Sequence, residues 1–317
     1  MNYTIKPLFI FSLPRSGSTL LQRILGSHQN IATTSEPWIL LPCFYTLNYQ
    51  GMISEFSHGV MVEAIQDFCG QLPNGRDDYL LEIRSLVLRL YHKASHVNTK
   101  YFLDKTPRYH LIVDEIINLF PEAKFIFLWR NPLAIIASMM ETWANGKWNI
   151  HYYSIDLFDG LSNLIEAYKK YSNQVYSVKY ENLLSTPEDE LQSLCKYLDL
   201  SYNDELLSNF SNTKLQGTHG DPTGIIQYNY INKEPIEKWK KTIKNPIRKA
   251  WCQYYLKWIG EERLREIGYN LDELLTEIKG IPFTIDMFHS DLLNISRGTT
   301  YNTVKNLLLR HKIHNHI

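Results

Sequence analysis

The sequence has few of the features that mark secreted, metal-binding or membrane-spanning proteins. Its 317 residues include only four cysteines, which lie far apart and form no Cys-x-x-Cys pair. This spacing indicates reduced thiols rather than a disulfide framework or a zinc site. The first apolar run, Leu8–Leu13, is too short for a signal-peptide core, and no run reaches the ~18 apolar residues of a membrane span. We therefore expect a soluble, cytoplasmic protein that does not bind membranes.

The sequence also lacks an excess of charge of either sign. Lysine and arginine together number 33, as do aspartate and glutamate, so the formal net charge is zero. Surfaces that bind nucleic acid are usually basic, so this balance argues against a nucleic-acid partner. The hydrophobic fraction of 44% is sufficient for one large core.

Short apolar segments alternate with helical patterns along most of the chain. Four of them have the branched and aromatic residues of buried strands: Leu8–Leu13, Tyr101–Asp104, Lys124–Trp129 and Gln174–Lys179. The alternation predicts an α/β fold in which helices cover both faces of a parallel sheet. We predict one domain over residues 1–280, with a mostly helical insert at about 38–98, and a C-terminal appendage over 281–317.

Three further predictions concern the last third of the chain. Residues 212–235 are rich in Gly, Asn, Thr and Pro, which predicts a long loop of the kind that is often functional. Ala250–Glu266 has the pattern of a single amphipathic helix. The histidine-rich end of the chain could suggest a metal site, but a surface tail is the simpler interpretation: His311, His314 and His316.

A polar turn follows the first predicted strand and precedes a helix. The start of a helix favours anions because its N–H groups are free and its dipole is positive there. Gly17 permits close approach of the backbone, and Arg15 offers a planar, charged fork. The turn lacks the lysine of the GxxxxGK[ST] motif, so nucleoside triphosphate hydrolysis fits poorly. Alone, the pattern also suits an ordinary capped turn. Its candidate anion-binding residues are Arg15, Ser16, Gly17, Ser18 and Thr19.

A second candidate anion site follows the strand Lys124–Trp129. Arg130 ends this strand, and Ser138 follows eight residues later on the next predicted helix. An arginine at this point can bind a phosphate through two nitrogens, and the serine can donate to the same group. Helix capping by Arg130 and packing by Ser138 are the alternatives. Together with the first turn, these residues predict two anion sites at one edge of the sheet, as a nucleotide with phosphates at both ends of its ribose requires.

These segments resemble the sulfotransferases that use 3′-phosphoadenosine-5′-phosphosulfate (PAPS). Residues 11–21, FSLPRSGSTLL, look like the family's 5′-phosphosulfate loop, and residues 127–132, FLWRNP, with Ser138 are similar to its 3′-phosphate motif. The segments DKTP at 104–107 and KYENL at 179–183 resemble further family segments in the same order. The resemblance covers residues 8–270 and implies a P-loop-like sheet, PAPS as co-substrate and 3′,5′-ADP as product.

The resemblance also implies a role for each matched residue. The loop residues Arg15 to Thr19 would hold the 5′-phosphosulfate, and Arg130 with Ser138 the 3′-phosphate. Tyr180 would lie against the nucleotide, and Lys238, in the segment EKWK, would close over it. Many cytosolic small-molecule sulfotransferases have a lysine where this chain has Arg15, and they use a histidine base. This chain is closer to the subgroup with arginine there, which includes bacterial carbohydrate and tyrosylprotein sulfotransferases.

Glu36 is the predicted general base, since it follows Arg15 by 21 residues, as does the catalytic glutamate of the arginine-loop subgroup. Without the resemblance, a solvated loop acid or a helix cap is the simpler interpretation. Lys105 follows a predicted strand and is the candidate for neutralising the leaving group, a role that Arg15 can share. Its alternative is an ion pair with a carboxylate such as Asp104. His28 is a weaker candidate base, about 15 Å from the start of the helix. We predict no metal.

The acceptor side is predicted from aromatic residues in 38–98 and 143–156, because rings beside a nucleotide site suit an organic ring or a sugar face. Packing of a helical lobe accounts for some of them. We expect the hydroxyl or amine of a small molecule as acceptor, then a glycan, then a peptide tyrosine. A P-loop kinase and an inactive nucleotide-binding module remain alternatives. The aromatic residues include Trp38, Phe44, Tyr45, Trp143, Trp148, His151, Tyr152 and Tyr153.

Overall fold

The computed structural model describes residues 5–213, 215–217 and 230–298. In this part of the chain, five parallel strands form one sheet in the order β2-β3-β1-β4-β5. The α/β fold with a P-loop-like parallel sheet is confirmed. The strand bounds are β1 Lys6–Phe11, β2 Ile31–Thr33, β3 Tyr101–Asp104, β4 Lys124–Trp129 and β5 Tyr176–Lys179.

Helices pack on both faces of the sheet. The connection between β2 and β3 carries three of them, in the region predicted as a helical insert. In chain order the helices are α1 Ser18–Gly26, α2 Leu40–Tyr45, α3 His58–Cys69, α4 Arg76–Ala94, α5 Val113–Leu119, α6 Pro132–Trp143, α7 Leu161–Tyr171, α8 Tyr180–Ser185, α9 Pro187–Tyr197, α10 Glu205–Asn209, α11 Glu234–Glu237, α12 Pro246–Ile259, α13 Glu261–Glu266, α14 Leu271–Gly280 and α15 at residues 288–298.

The central strand β1 is apolar and buried after Lys6, because it lies in the middle of the sheet. Side chains alternate between the two faces of a strand, and both faces of this sheet are covered. Phe9 and Phe11 pack into one hydrophobic cluster, whereas Leu8 and Ile10 pack into the other. Ring stacking extends the first cluster across the sheet, since the centroids of Phe9 and Phe125 on β4 lie 5.9 Å apart.

Two features differ from the sequence prediction. The prediction of one helix over Ala250–Glu266 was wrong, because the chain forms α12 and α13 with Gly260 between them at φ 85°. A glycine adopts this left-handed conformation readily, and it ends the first helix. The edge strand β2 was not predicted, since its three residues are too few to show a periodic pattern.

Several predicted features fall partly outside the described residues. In the predicted loop 212–235, residues 214 and 218–229 lie outside them, and so do His311, His314 and His316. In the predicted appendage, α15 docks through the buried carboxylate of Asp291, which accepts a hydrogen bond of 2.6 Å from Arg248 Nε. No described helix is both long enough and apolar enough to cross a bilayer.

The carboxylate of Asp104 forms a buried polar cluster at the end of β3. Its Oδ2 accepts hydrogen bonds from Tyr91 (2.5 Å) and Tyr109 (3.0 Å), and its Oδ1 accepts one from Thr106 (3.2 Å). Burial raises the pKa of Asp104 to about 6, although the three donors lower it. The folded chain therefore holds a proton that the unfolded chain has already lost above about pH 4, so this group reduces stability as pH rises towards 6.

Tyr91→Phe should destabilise the protein more near pH 8 than near pH 5. Above about pH 6 the lost hydrogen bond is one to an ionised Asp104, worth about 1.5–3 kcal/mol, whereas a neutral acceptor is worth about 0.5–1.5 kcal/mol. Urea unfolding at the two pH values measures the difference. The control is Tyr101→Phe, because Tyr101 donates to the Leu198 carbonyl, which does not titrate. An equal pH effect in both variants would contradict this assignment.

Candidate active site

The turn between β1 and α1 presents backbone N–H groups at the carboxyl edge of the sheet. Both Arg15 (φ 68°) and Gly17 (φ 90°) adopt the left-handed conformation, which turns the chain sharply into the helix. Gly17 precedes the first helical residue, and no side chain caps the helix there. The first N–H groups of a helix need a partner, so this arrangement suits an anion.

Tyr180 closes one side of this turn. A Cβ atom on Gly17 would lie 2.3 Å from two carbon atoms of the Tyr180 ring, so the glycine is required by space as well as by its φ angle. The guanidinium of Arg130 lies over the same ring at 4.5 Å from its centroid. Tyr180 therefore joins the two predicted anion motifs.

Arg130 and Ser138 both contact Arg15. Arg130 Nη1 donates to the Arg15 carbonyl at 2.8 Å, and Arg15 Nε donates to Ser138 Oγ at 3.2 Å. Within the described residues, two buried polar atoms beside this junction have no hydrogen-bond partner, Arg130 Nε and Ser16 Oγ. Buried polar groups are normally paired, so these two atoms suit a polar ligand.

A buried ammonium links the turn to the predicted base. Lys105 follows β3, and its Nζ donates to Glu36 Oε1 at 2.7 Å and to Thr19 Oγ1 at 3.3 Å. The lysine side chain is 1% exposed and the glutamate side chain 12%. The carboxylate that forms the ion pair with Lys105 is thus that of Glu36, whereas the Asp104 oxygens accept hydrogen bonds from three hydroxyls.

The backbone of the segment before Glu36 forms hydrogen bonds with two neighbouring parts of the chain. Gln22 on α1 donates to the Thr34 carbonyl at 2.7 Å, which returns the segment to the strand ends. The N–H of Ser35 donates to the Gln216 carbonyl at 2.8 Å, within the predicted loop 212–235.

The other end of the predicted loop 212–235 contacts Arg130. The Pro235 carbonyl accepts a hydrogen bond from Arg130 Nη2 at 3.3 Å.

Two residues predicted for the site, His28 and Lys238, are not joined to it by the described contacts. His28 is buried at the far end of α1, where its Nε2 lies 3.1 Å from the Ser201 carbonyl and its Nδ1 accepts from the Asn30 N–H. These bonds indicate a structural role for His28. Lys238 is exposed in a short 3₁₀ helix, and no described residue forms a hydrogen bond or ion pair with its side chain.

The residues predicted for the acceptor side differ in exposure, and Tyr45, His151 and Tyr153 are half-buried. Trp148 and Phe44 are buried and pack in the core, whereas Trp38 is 42% exposed and Trp143 is 43% exposed. The guanidinium of Arg15 lies 5.8 Å from the centroid of a Trp143 ring. The exposed rings are therefore the ones that remain available to a ligand.

Sequence reasoning missed two residues that hold the site. Glu181 accepts hydrogen bonds from the Asn131 N–H (2.9 Å) and from Tyr269 (2.7 Å), and so fixes the turn that carries Arg130. It lies in the segment KYENL, in which the family resemblance implies a role for Tyr180 alone. Trp38 was predicted only as an acceptor-side ring, but its Nε1 donates to Glu36 Oε2 at 3.2 Å.

The described residues contain no cluster of three or more His, Cys, Asp or Glu side chains that could hold a metal ion. The side chains and backbone of the site offer hydroxyl, ammonium, guanidinium, carboxylate and N–H groups. Such groups bind anions and move protons.

Comparison with known proteins agrees with this chemistry. The family model described as "Sulfotransferase family" matches residues 7–204. The chain belongs to the sulfotransferase family. It is 26% identical over 309 residues to the nodulation protein NoeE of Sinorhizobium fredii, covering 85% of this chain and 68% of NoeE. It is 24% identical over 280 residues to a protein-tyrosine sulfotransferase of Drosophila melanogaster, covering 80% of this chain and 47% of that protein.

Two solved structures of sulfotransferase domains share the fold. The domain from the Synechococcus PCC 7002 olefin synthase is 23% identical, with a TM-score of 0.53 over 75% of this chain and 89% of that domain. The domain from the curacin biosynthetic pathway is 20% identical, with a TM-score of 0.51 over 76% of this chain and 92% of that domain. At this identity the similarity concerns the fold alone.

Gly17→Ala should destabilise the protein by about 1–3 kcal/mol, because the new methyl group overlaps the Tyr180 ring and the φ angle disfavours a side chain. Thermal unfolding measures the loss. Gly59→Ala is the matched control, since no atom lies within 4 Å of its added Cβ and it sits near the start of α3. A Gly17 variant as stable as the Gly59 variant would show that the turn adapts.

Proposed function

We propose that this protein transfers a sulfuryl group from PAPS to a hydroxyl or amine of a small-molecule acceptor and releases 3′,5′-ADP. The observation that carries the proposal is the contact of one buried ammonium, Lys105 Nζ, with both Thr19 and Glu36. A cation for the leaving group and a carboxylate for the acceptor's proton thereby stand side by side at the start of α1. Sulfuryl transfer needs both groups within reach of one reacting centre.

The residues at the turn fit a donor with anionic groups at two ends. The free helix start, the left-handed Gly17 and the unpartnered Ser16 Oγ suit a 5′-phosphosulfate, which Arg15, Ser18 and Thr19 would also contact. Arg130, with its unpartnered Nε, and Ser138 would hold the 3′-phosphate. Tyr180 would lie against the nucleotide, and Lys238 would close over it.

PAPS, when bound, supplies a sulfuryl group that is already activated. The protein therefore needs to position the two reactants and to stabilise the charge that develops during transfer. Glu36 accepts the proton that the attacking oxygen or nitrogen loses. The sulfuryl group is transferred by in-line displacement, and negative charge develops on the departing nucleotide. Lys105 and Arg15 hold positive charge at the start of α1, where it stabilises this negative charge. The low exposure of Lys105 strengthens this interaction, because charges act more strongly where water is excluded.

Other acceptors and activities follow from particular observations. The protein-tyrosine sulfotransferases among the relatives make a peptide tyrosine the second candidate acceptor, beside a carbohydrate. A P-loop kinase is less compatible, since the turn has no Lys-Ser/Thr pair. An inactive nucleotide-binding module is distinguished by its lack of turnover, because the pairing of Glu36 with the buried Lys105 would serve its structure as well.

3′,5′-ADP should bind more tightly than ATP, because only the former places a phosphate opposite Arg130. Arg130→Ala should weaken 3′,5′-ADP binding by about 30-fold, equivalent to about 2 kcal/mol for a lost charged pair. Calorimetric titration measures both affinities. The matched ligand is 5′-AMP, which lacks only the 3′-phosphate and whose affinity should change little on substitution. Tighter binding of ATP by the unmodified protein would rule out the proposed donor.

Glu36→Gln should lower turnover by about 10²–10⁴-fold while the affinity for 3′,5′-ADP stays the same. Glutamine keeps an oxygen for Lys105 but accepts no proton from the acceptor. The assay follows labelled sulfate from PAPS into a panel of acceptors, which also identifies the acceptor. Glu55→Gln, at an exposed position, is the control. Near-normal turnover in the Glu36 variant would remove this residue from the role of base.

A further inference from the structure

Trp38 has a backbone conformation that tryptophan rarely adopts. Its φ angle is 59°, in the left-handed region, where a side chain crowds the backbone. Such conformations persist only where the surroundings enforce them, and they cluster at functional sites. Trp38 lies two residues after the predicted base.

The buried cluster around Asp104 enforces this conformation. The Trp38 N–H donates to Thr106 Oγ1 at 3.3 Å, and Thr106 donates in turn to Asp104. Two residues later, the Leu40 N–H donates to the hydroxyl of Tyr109, which also binds Asp104. The backbone N–H groups of Trp38 and Leu40 are therefore both bonded to residues that follow β3, close to Lys105.

This conformation directs the indole N–H at the Glu36 carboxylate. Trp38 Nε1 donates to Oε2 at 3.2 Å, while Lys105 Nζ donates to Oε1 at 2.7 Å. Each carboxylate oxygen thus has its own donor, and the plane of the carboxylate is fixed. A base must be held in one orientation to take a proton efficiently.

The same indole exposes 42% of its surface beside the base. An exposed tryptophan ring offers a flat, apolar face, and such faces stack on aromatic rings and on the faces of sugar rings. We propose that Trp38 is a positioning and specificity-determining residue: its N–H orients Glu36, and its indole stacks on a ring of the acceptor next to the group that is sulfated. This inference rests on the proposed function, because it assigns an acceptor class to that site.

Two substitutions separate the two roles. Trp38→Phe keeps a ring but removes the N–H, whereas Trp38→Leu removes both. Phe68→Leu is the matched control, because Phe68 is 56% exposed and lies on α3, away from these contacts. Thermal unfolding of all variants checks that they fold, and titration with 3′,5′-ADP checks that the donor site is intact.

The stacking role is tested by binding to the complex with 3′,5′-ADP. The probes are 2-naphthol for an aromatic ring, methyl glucopyranoside for a sugar ring and 1-octanol for an acyclic chain. At least one ring probe should bind the unmodified protein about tenfold more tightly than it binds Trp38→Leu, and Trp38→Phe should stay within about threefold. The affinity for 1-octanol should change by less than about threefold. Equal losses for ring and acyclic probes, or no ring probe binding at all, would overturn the stacking.

The orienting role is tested by kinetics with whichever acceptor the panel identifies. Trp38→Phe should lower kcat by about 3–10-fold with little change in KM, because the substitution removes one hydrogen bond to Glu36. Phe68→Leu should change neither constant. A kcat in Trp38→Phe equal to that of the unmodified protein, or a loss confined to KM, would overturn this role. Failure of 3′,5′-ADP to bind the unmodified protein would instead contradict the proposed function itself.

Discussion

The arrangement of the site depends on how one buried ammonium is paired. Lys105 is almost fully removed from water, and a buried charge is costly unless it has partners of opposite charge or good hydrogen-bond acceptors. Glu36 and Thr19 are those partners, and they come from different parts of the chain. The requirement to pair this charge therefore holds the segment after β2 against the start of α1. Loss of the Glu36 charge would leave the buried ammonium with no partner of opposite charge among its described contacts, and only the Thr19 hydroxyl as an acceptor.

The end of β3 supports this arrangement from behind. Asp104 faces the buried cluster of hydroxyls, and the next residue, Lys105, points to the site. Through Thr106 and Tyr109 the same carboxylate also fixes the backbone around Trp38. Three consecutive residues at the end of β3, Asp104 to Thr106, thus act with Tyr109 to place the Lys105 ammonium and the segment that carries Glu36 and Trp38. The sheet contributes rigidity, and the polar cluster transmits it to the loop.

Part of this structure could be predicted from the sequence because the relevant signals are local. The apolar strands β1 and β4 are followed at once by polar turns, so the sequence could place Arg15 and Arg130 at one edge of the sheet. The partner of Lys105 could not be predicted in this way, because Asp104 is its neighbour in sequence whereas Glu36 becomes its neighbour only in the fold. The contact of Trp38 with Glu36 depends on a left-handed backbone angle, and a tryptophan gives no sequence signal for it. The break at Gly260 could have been predicted, since an interior glycine is unfavourable in a helix.

The connection between β2 and β3 is long, yet these two strands are adjacent and parallel in the sheet. Helices α2, α3 and α4 lie within that connection, between the loop that carries Glu36 and the strand that precedes Lys105. Only its two ends contribute to the ion pair. Residues could therefore be added to or removed from the part around α3, which precedes the Tyr91 contact with Asp104, without shifting the strand register or the distance between Glu36 and Lys105. This makes the connection a natural place for length variation, through which related chains can diverge in shape while their charged groups stay in place.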